Sequence, residues 1–223
     1  MIFKLILLIF LSLTLSLAEV KINYANAFQN KDYFEYDLYW SFLKVGSARL
    51  EFEESYNKKL DEDVYKIIFS VKTGSVIEKI YPVNNKIIST LKIPGLLPLS
   101  YSKIINEGGK KENILVDFLW KDALFVKSKN GVESAPMRLL ENTLDSLSLI
   151  LSISQNRFSL YDSFTQDITD GGNITKIKST LKKNLEISTS LGYFDTNEIA
   201  ISTSELSGVF EKSPNAKLFL YLT

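Results

Sequence analysis

The sequence predicts a mainly β, antiparallel fold carrying one amphipathic helix packed on the apolar side of its sheet, and three observations predict it. Apolar residues recur at every second position through most of the chain, the spacing that buries one face of a strand. Turn residues punctuate those runs at intervals near about 8–12 residues, as in meandering sheets and barrels. Between Met137 and Phe158 the spacing becomes helical.

The first strand places Phe34, Tyr36, Leu38, Trp40 and Phe42 on one face, against Tyr33, Glu35, Asp37, Tyr39 and Ser41 on the other. A turn is expected at Lys44-Val45-Gly46. The return strand then buries Ala48, Leu50 and Phe52 and exposes Arg49, Glu51 and Glu53, a hairpin with one apolar and one charged face. After a polar loop at Asn57–Asp63, Tyr65, Ile67, Phe69 and Val71 resume the alternation. Ile87–Ile93 reads as a strand ended by Pro94-Gly95-Leu96-Leu97-Pro98, a run that breaks regular structure. Leu99, Tyr101, Lys103 and Ile105 lead to a turn at Glu107-Gly108-Gly109-Lys110, and Ile114, Val116 and Phe118 return. Leu124–Ser128 folds back across Asn130-Gly131.

Leu140, Leu144, Leu147, Ile150, Leu151 and Ile153 then follow helical spacing. We expect a helix from Leu144 to Asn156, capped by Asn142 or Thr143, with Asp145 in its first turn. Its stripe Leu144, Leu147 and Leu151 should cover the sheet, since a lone helix of that length is marginal in water. Strands follow at Ser163–Thr169, Ile174–Leu181, Leu185–Ser188, Glu198–Thr203 and Lys217–Leu222, with a turn at Asp170-Gly171-Gly172-Asn173. No repeat or linker divides residues 19–223, which are expected to form a single β-rich domain.

Composition excludes much chemistry. The chain has 223 residues with 26 basic and 26 acidic side chains, and neither cysteine nor histidine. Disulfides, thiolate nucleophiles, iron–sulfur clusters, Ser-His-Asp triads and nearly every transition-metal site are thereby ruled out. Balanced charge leaves no footprint for nucleic acid. Met1-Ile2-Phe3-Lys4 followed by an apolar run to Leu17 and Ser16-Leu17-Ala18 has the layout of a signal peptide, with cleavage expected after Ala18. A membrane span needs about 20 apolar residues, and Glu19 and Lys21 end this run early. The protein is therefore expected to be exported, most naturally to the periplasm, with no transmembrane span.

A family resemblance rests on several short motifs. Phe34-Glu35-Tyr36-Asp37-Leu38-Tyr39-Trp40 with Val45-Gly46 and Ala48-Arg49-Leu50 resembles the opening of the DUF3108 family. Gly95-Leu96-Leu97-Pro98 with Tyr101 is similar to its middle segment, and Asp117-Phe118 stands in inverted order where the family carries a Phe-Asp strand. Asn142-Thr143-Leu144-Asp145-Ser146-Leu147-Ser148 resembles its helix start, and Gly192-Tyr193-Phe194-Asp195-Thr196 its late strand entry. Where the family commonly closes with an acidic turn and an Arg-x-Pro-Val strand, this sequence shows neither, so that strand is absent or supplied differently. The resemblance implies an exported bacterial protein of uncharacterised activity, with a fold similar to the strongly curved half-barrel of lipoprotein-localisation factors. Such half-barrels hold acyl chains between sheet and helix, although a fold does not fix a function.

The candidate site is accordingly apolar. Phe34, Tyr36, Leu38, Trp40, Leu50, Phe52 and Phe69 from the sheet, with Leu144, Leu147 and Leu151 from the helix, either form the core or line a cavity for a lipid or other apolar molecule. Both readings point the same side chains inward. The alternative function is a periplasmic scaffold with a closed core, whose partner is another envelope protein. An enzyme is not expected. The carboxylates Glu35, Asp37, Glu51 and Glu53 suit an outward charged face better than glycoside hydrolysis. Ser146 and Ser148 lack an S-x-x-K partner. The run Asp167–Asn173 offers oxygen ligands but lacks the spacing of a calcium loop, and no cofactor is implied.

Overall fold

The computed structural model describes residues 33–58, 60–93, 95–155, 159–189, 192–202 and 218–223. The signal segment, its cleavage point and the expected ends at Asn156, Thr203 and Lys217 lie outside them. Sheet 1 is an antiparallel meander of β1 (Tyr33–Trp40), β2 (Leu43–Asn57), β3 (Glu62–Thr73), β4 (Asn84–Lys92), β5 (Pro98–Glu107), β6 (Lys110–Leu119), β7 (Leu124–Lys129) and β8 (Val132–Glu133), with β9 (Met137–Arg138) also on β7. Sheet 2 is a second antiparallel meander of β10 (Ser163–Ile168), β11 (Thr175–Thr189), β12 (Gly192–Ile201) and β13 (Leu218–Leu222). A short helix, α1 (Ser75–Glu78), joins β3 to β4, and α2 (Ser146–Gln155) lies between the sheets. The fold is mainly β and antiparallel as expected, but the strands form two sheets where one was expected. Among the described residues neither sheet closes into a barrel, and no helix is long and apolar enough to cross a membrane.

The two sheets follow from α2 itself. Leu147 and Leu151 join Phe52, Tyr65, Ile67, Leu91 and Tyr101 of sheet 1 in one buried cluster. Leu144, Leu149 and Ile153 join Ile168, Ile177, Leu181 and Ile199 of sheet 2 in another. Residues two apart stand about 200° apart around a helix, so Leu147/Leu151 and Leu149/Ile153 form opposite stripes. A helix apolar on opposite sides is a buried one. The expected stripe Leu144, Leu147, Leu151 is thus corrected: Leu144 packs toward sheet 2, bridging in register with Ile168.

Two local expectations also change. The first hairpin turns at Ser41-Phe42, with Ser41 at φ 57, so that Trp40 pairs with Leu43. The expected turn residue Val45 is instead the extra residue of a bulge, since Leu38 pairs with Gly46 but Tyr39 with Lys44. Gly46 is needed there because a Cβ would stand 2.3 Å from the Lys72 carbonyl oxygen. The break expected between Leu181 and Leu185 is likewise a bulge within one continuous strand, β11. The exposed polar run Lys182-Lys183-Asn184 imitates a turn in sequence but stays paired to β12 through Lys183 and Asn184.

Candidate functional site

One face of sheet 1, the inner face, points toward α2 and divides into rows of cross-strand neighbours. Phe52, Ile67, Ser89, Tyr101 and Val116 form one row in successive register, and all five are buried. Two of its members anchor the start of α2. Ser89 donates its hydroxyl to Asp145 Oδ2 at 2.5 Å, and the Tyr101 and Ser146 hydroxyls are 2.7 Å apart. Asp145 Oδ1 accepts the N–H groups of Leu147 (2.8 Å) and Ser148 (2.9 Å), while its own N–H donates to Ser148 Oγ. Asp145, and not Asn142 or Thr143, is therefore the N-cap, in a reciprocal box that satisfies backbone donors at both residues. Asn142 sits at φ 57, and the Thr143 hydroxyl donates to the Leu140 carbonyl.

Burial sets the electrostatics of this knot. It raises the Asp145 carboxyl above its ordinary value against the four hydrogen bonds that lower it. Burial also pushes the Tyr101 phenol well up, with the Ser146 contact working the other way. Each polar atom of Asp145 is occupied by the cap or by Ser89, which makes it an anchor for the helix. Sequence reasoning missed Ser89; its signal was a hydroxyl on the apolar parity of β4.

The neighbouring row behaves differently. Phe34, Leu50, Phe69 and Ile87 are also in successive register, yet each is only half-buried and packs at the margin of the core. Beyond it lie Tyr36, Ala48 and Val71. Tyr36 and Val71 are half-buried as well. Burial raises the Tyr36 phenol, and among the described residues no hydrogen bond ties it down. The result is an apolar shelf beside α2 with one phenol set in it.

On the other side the shelf is bounded by the turn between β10 and β11. Lys103 Nζ, in register with Ile87, reaches Asp170 Oδ2 at 2.7 Å. Burial pushes the Asp170 carboxyl up, but Lys103, the Gly172 N–H and Lys127 outweigh it and hold the group below its ordinary value. Gly171 has φ +92, and a Cβ on it would stand 2.6 Å from Val116 Cγ2, so only glycine lets the turn settle on sheet 1. Lys176 takes Asp167 at 2.8 Å. These ion pairs use the carboxylates of Asp167 and Asp170.

The sequence candidates now separate. Phe52, Leu147 and Leu151 are core, each 4% exposed. Phe34, Tyr36, Leu38, Leu50 and Phe69 are the half-buried shelf. Trp40 is 37% exposed and Phe42 92%, which corrects the expectation that both are buried: the hairpin turn comes earlier and carries them past the covered part of the sheet. Leu144 lines a cavity of about 250 Å³ with Gly95, Leu96, Leu97, Asn142, Ser148, Ser152 and Gln166. Its mixed lining and position at the cap do not suit a long apolar chain. On the outer face, Arg49 pairs with Glu35 and Glu51, Lys44 with Asp37, and Lys66 with Glu53, the charged surface expected of those carboxylates.

No curated protein and no solved structure matches this chain. A family model matches residues 35–223, from β1 through the last described strand and so over both sheets and the helix between them. With its helix start, glycine bulge and shelf strands all inside that span, the chain belongs to DUF3108, a family described as protein of unknown function.

Proposed function

We propose that the protein is an exported, non-enzymatic component of the cell envelope that holds a lipid or other apolar chain on the inner face of sheet 1, beside α2. The observation that carries this reading is the contrast between adjacent rows. Phe52, Ile67, Ser89, Tyr101 and Val116 are closed under the helix, while Phe34, Leu50, Phe69 and Ile87, one register step away, are half-buried. The original expectation of a chain between sheet and helix is thus moved by one row, because Leu147 and Leu151 fill that space. Binding sites are mostly apolar with few polar anchors, and Tyr36 supplies a phenol for a polar group of the ligand. In this reading sheet 1 curves around the chain as a half-barrel, as the likeness to lipoprotein-localisation factors implies.

The buried carboxylate Asp145 is committed to the helix cap, which supports a binding over a catalytic role. Export is tested by N-terminal sequencing of the mature protein, which should begin at Glu19; an intact Met1 in a membrane fraction would show an anchor instead. Binding is tested by native mass spectrometry of protein purified from its own host, where extra apolar mass should be retained. Leu50→Arg should abolish uptake of a fluorescent fatty acid with the circular dichroism spectrum intact. Tyr36→Phe should weaken uptake about fivefold, the value of one hydrogen bond. Bare mass together with unchanged uptake in Leu50→Arg would favour a scaffold with a closed core.

A further inference from the structure

We propose that the end of sheet 1 at the β1–β2 turn and α1 is a lipid-surface docking tip, seated on an anionic bilayer. The inference deepens the binding reading, since it names where the apolar chain comes from. Phe42 is 92% exposed, Val76 72%, Ile80 60%, Leu43 47% and Trp40 37%. They come from two segments held together at one end of the sheet. Trp40 pairs with Leu43, and the Gly74 N–H donates to the Val45 carbonyl, which sets α1 beside the start of β2. Isolated exposed apolar residues are ordinary, but several gathered at one end mark an interaction site.

The chemistry of the surroundings selects the partner. The Gly108 N–H donates to the Pro82 carbonyl, and the Tyr81 hydroxyl donates to Glu107, so the β5–β6 turn stands at the same end as α1. Exposed Lys44, Lys72, Lys79, Lys110 and Lys111 gather on this rim. Lys44 and Lys110 pair with Asp37 and Glu112, which leaves Lys72, Lys79 and Lys111 against Glu78 and a Glu107 that already accepts from Tyr81 and Asn85. Protruding apolar side chains beside the exposed Lys72, Lys79 and Lys111 match a bilayer, whose acyl region accepts Phe and Leu, whose interface accepts Trp, and whose anionic headgroups accept Lys. The tip is also continuous with the shelf. Phe34, Tyr36, Leu38 and Trp40 alternate along β1 toward the same face, forming an apolar track from the bilayer to the row of Leu50 and Phe69.

The test is flotation of the mature protein with vesicles of phosphatidylglycerol and phosphatidylcholine, beside vesicles of phosphatidylcholine alone. The mature protein should float with the anionic vesicles, less with the neutral ones, and less as salt rises. Emission should shift to the blue, and Trp40→Phe should remove the shift while Trp120 stays in place. Phe42→Glu and Val76→Glu, both at exposed positions, should each reduce partitioning about tenfold or more, with fatty-acid uptake from solution unchanged. Leu50→Arg should float normally and lose uptake, so failure of the tip and failure of the shelf give different patterns. A wild-type protein that stays off anionic vesicles, or a Phe42→Glu variant that floats as well as wild type, would overturn the proposal and assign the tip to a protein partner.

Discussion

Asp145 ties the start of α2 to sheet 1. Its side chain caps α2, receives Ser89, and is fully buried. Asp145→Ala should destabilise by about 2–3 kcal/mol, from a lost cap and an orphaned Ser89 hydroxyl, measured by urea unfolding. Its titration has a definite sign. Burial raises the folded pKa above the ordinary 3.8, so the protonated form is favoured by folding. That stabilisation is present below the unfolded pKa and is lost as pH rises through the raised folded value. Glu112 acts oppositely: side-chain hydrogen bonds from Lys110 and Lys129 hold it to about 2 against an ordinary 4.5. Its contribution is present above the unfolded pKa and disappears as pH falls toward about 2. Unfolding followed across pH should therefore show Asp145→Asn flattening the loss on the higher-pH side, and Glu112→Gln flattening the loss on the acid side. Identical profiles for both variants and wild type would refute these assignments.

At the level of elements, α2 is a wedge between two sheets, and its two stripes should act independently. Leu151 is 4% exposed against sheet 1 and Ile153 0% against sheet 2. Leu151→Ala should cost about 3 kcal/mol and Ile153→Val about 1 kcal/mol. The side chains stand on opposite sides of a cylinder about 10–12 Å across, so the double variant should equal the sum within about 0.5 kcal/mol. Strong coupling would mean that the sheets yield together. The spacing of 147 and 151 was visible in the sequence, as was a helix in this region. The second stripe was hidden because Leu, Ile and Ser alternate through Ser146–Ser154, a pattern that matches a strand as readily as a helix buried on both sides.

Across the whole molecule, the β10–β11 turn joins the two sheets through Lys103–Asp170 and the contact of Gly171 with Val116. Gly171→Ala adds a Cβ 2.6 Å from Val116 at φ +92, and should lower stability by about 2 kcal/mol or more. Thermal unfolding measures it, and a neutral result would mean that the turn does not dock there. Since Lys103 and Lys176 already engage Asp170 and Asp167, chelator should leave the melting temperature unchanged. A drop of several degrees would restore a cation to this loop.

Much was legible in the sequence because it rests on local physics. Period-two alternation set the strands of sheet 1 and the apolar parity of Phe34, Leu50, Phe52 and Phe69, and Gly108-Gly109 and Asn130-Gly131 marked their turns. Three matters needed the fold. The end of the first hairpin was decided by the close approach of Gly46 to the Lys72 carbonyl oxygen, two strands away in the meander from β1. The cap was decided by Ser89, 56 residues from Asp145. The division of inward side chains into core and shelf was decided by where α2 lies, because alternation states which face a residue takes and nothing about what covers that face. Parity is a property of one strand, whereas burial belongs to the pair of surfaces that meet, and only the tertiary structure brings the second surface into place.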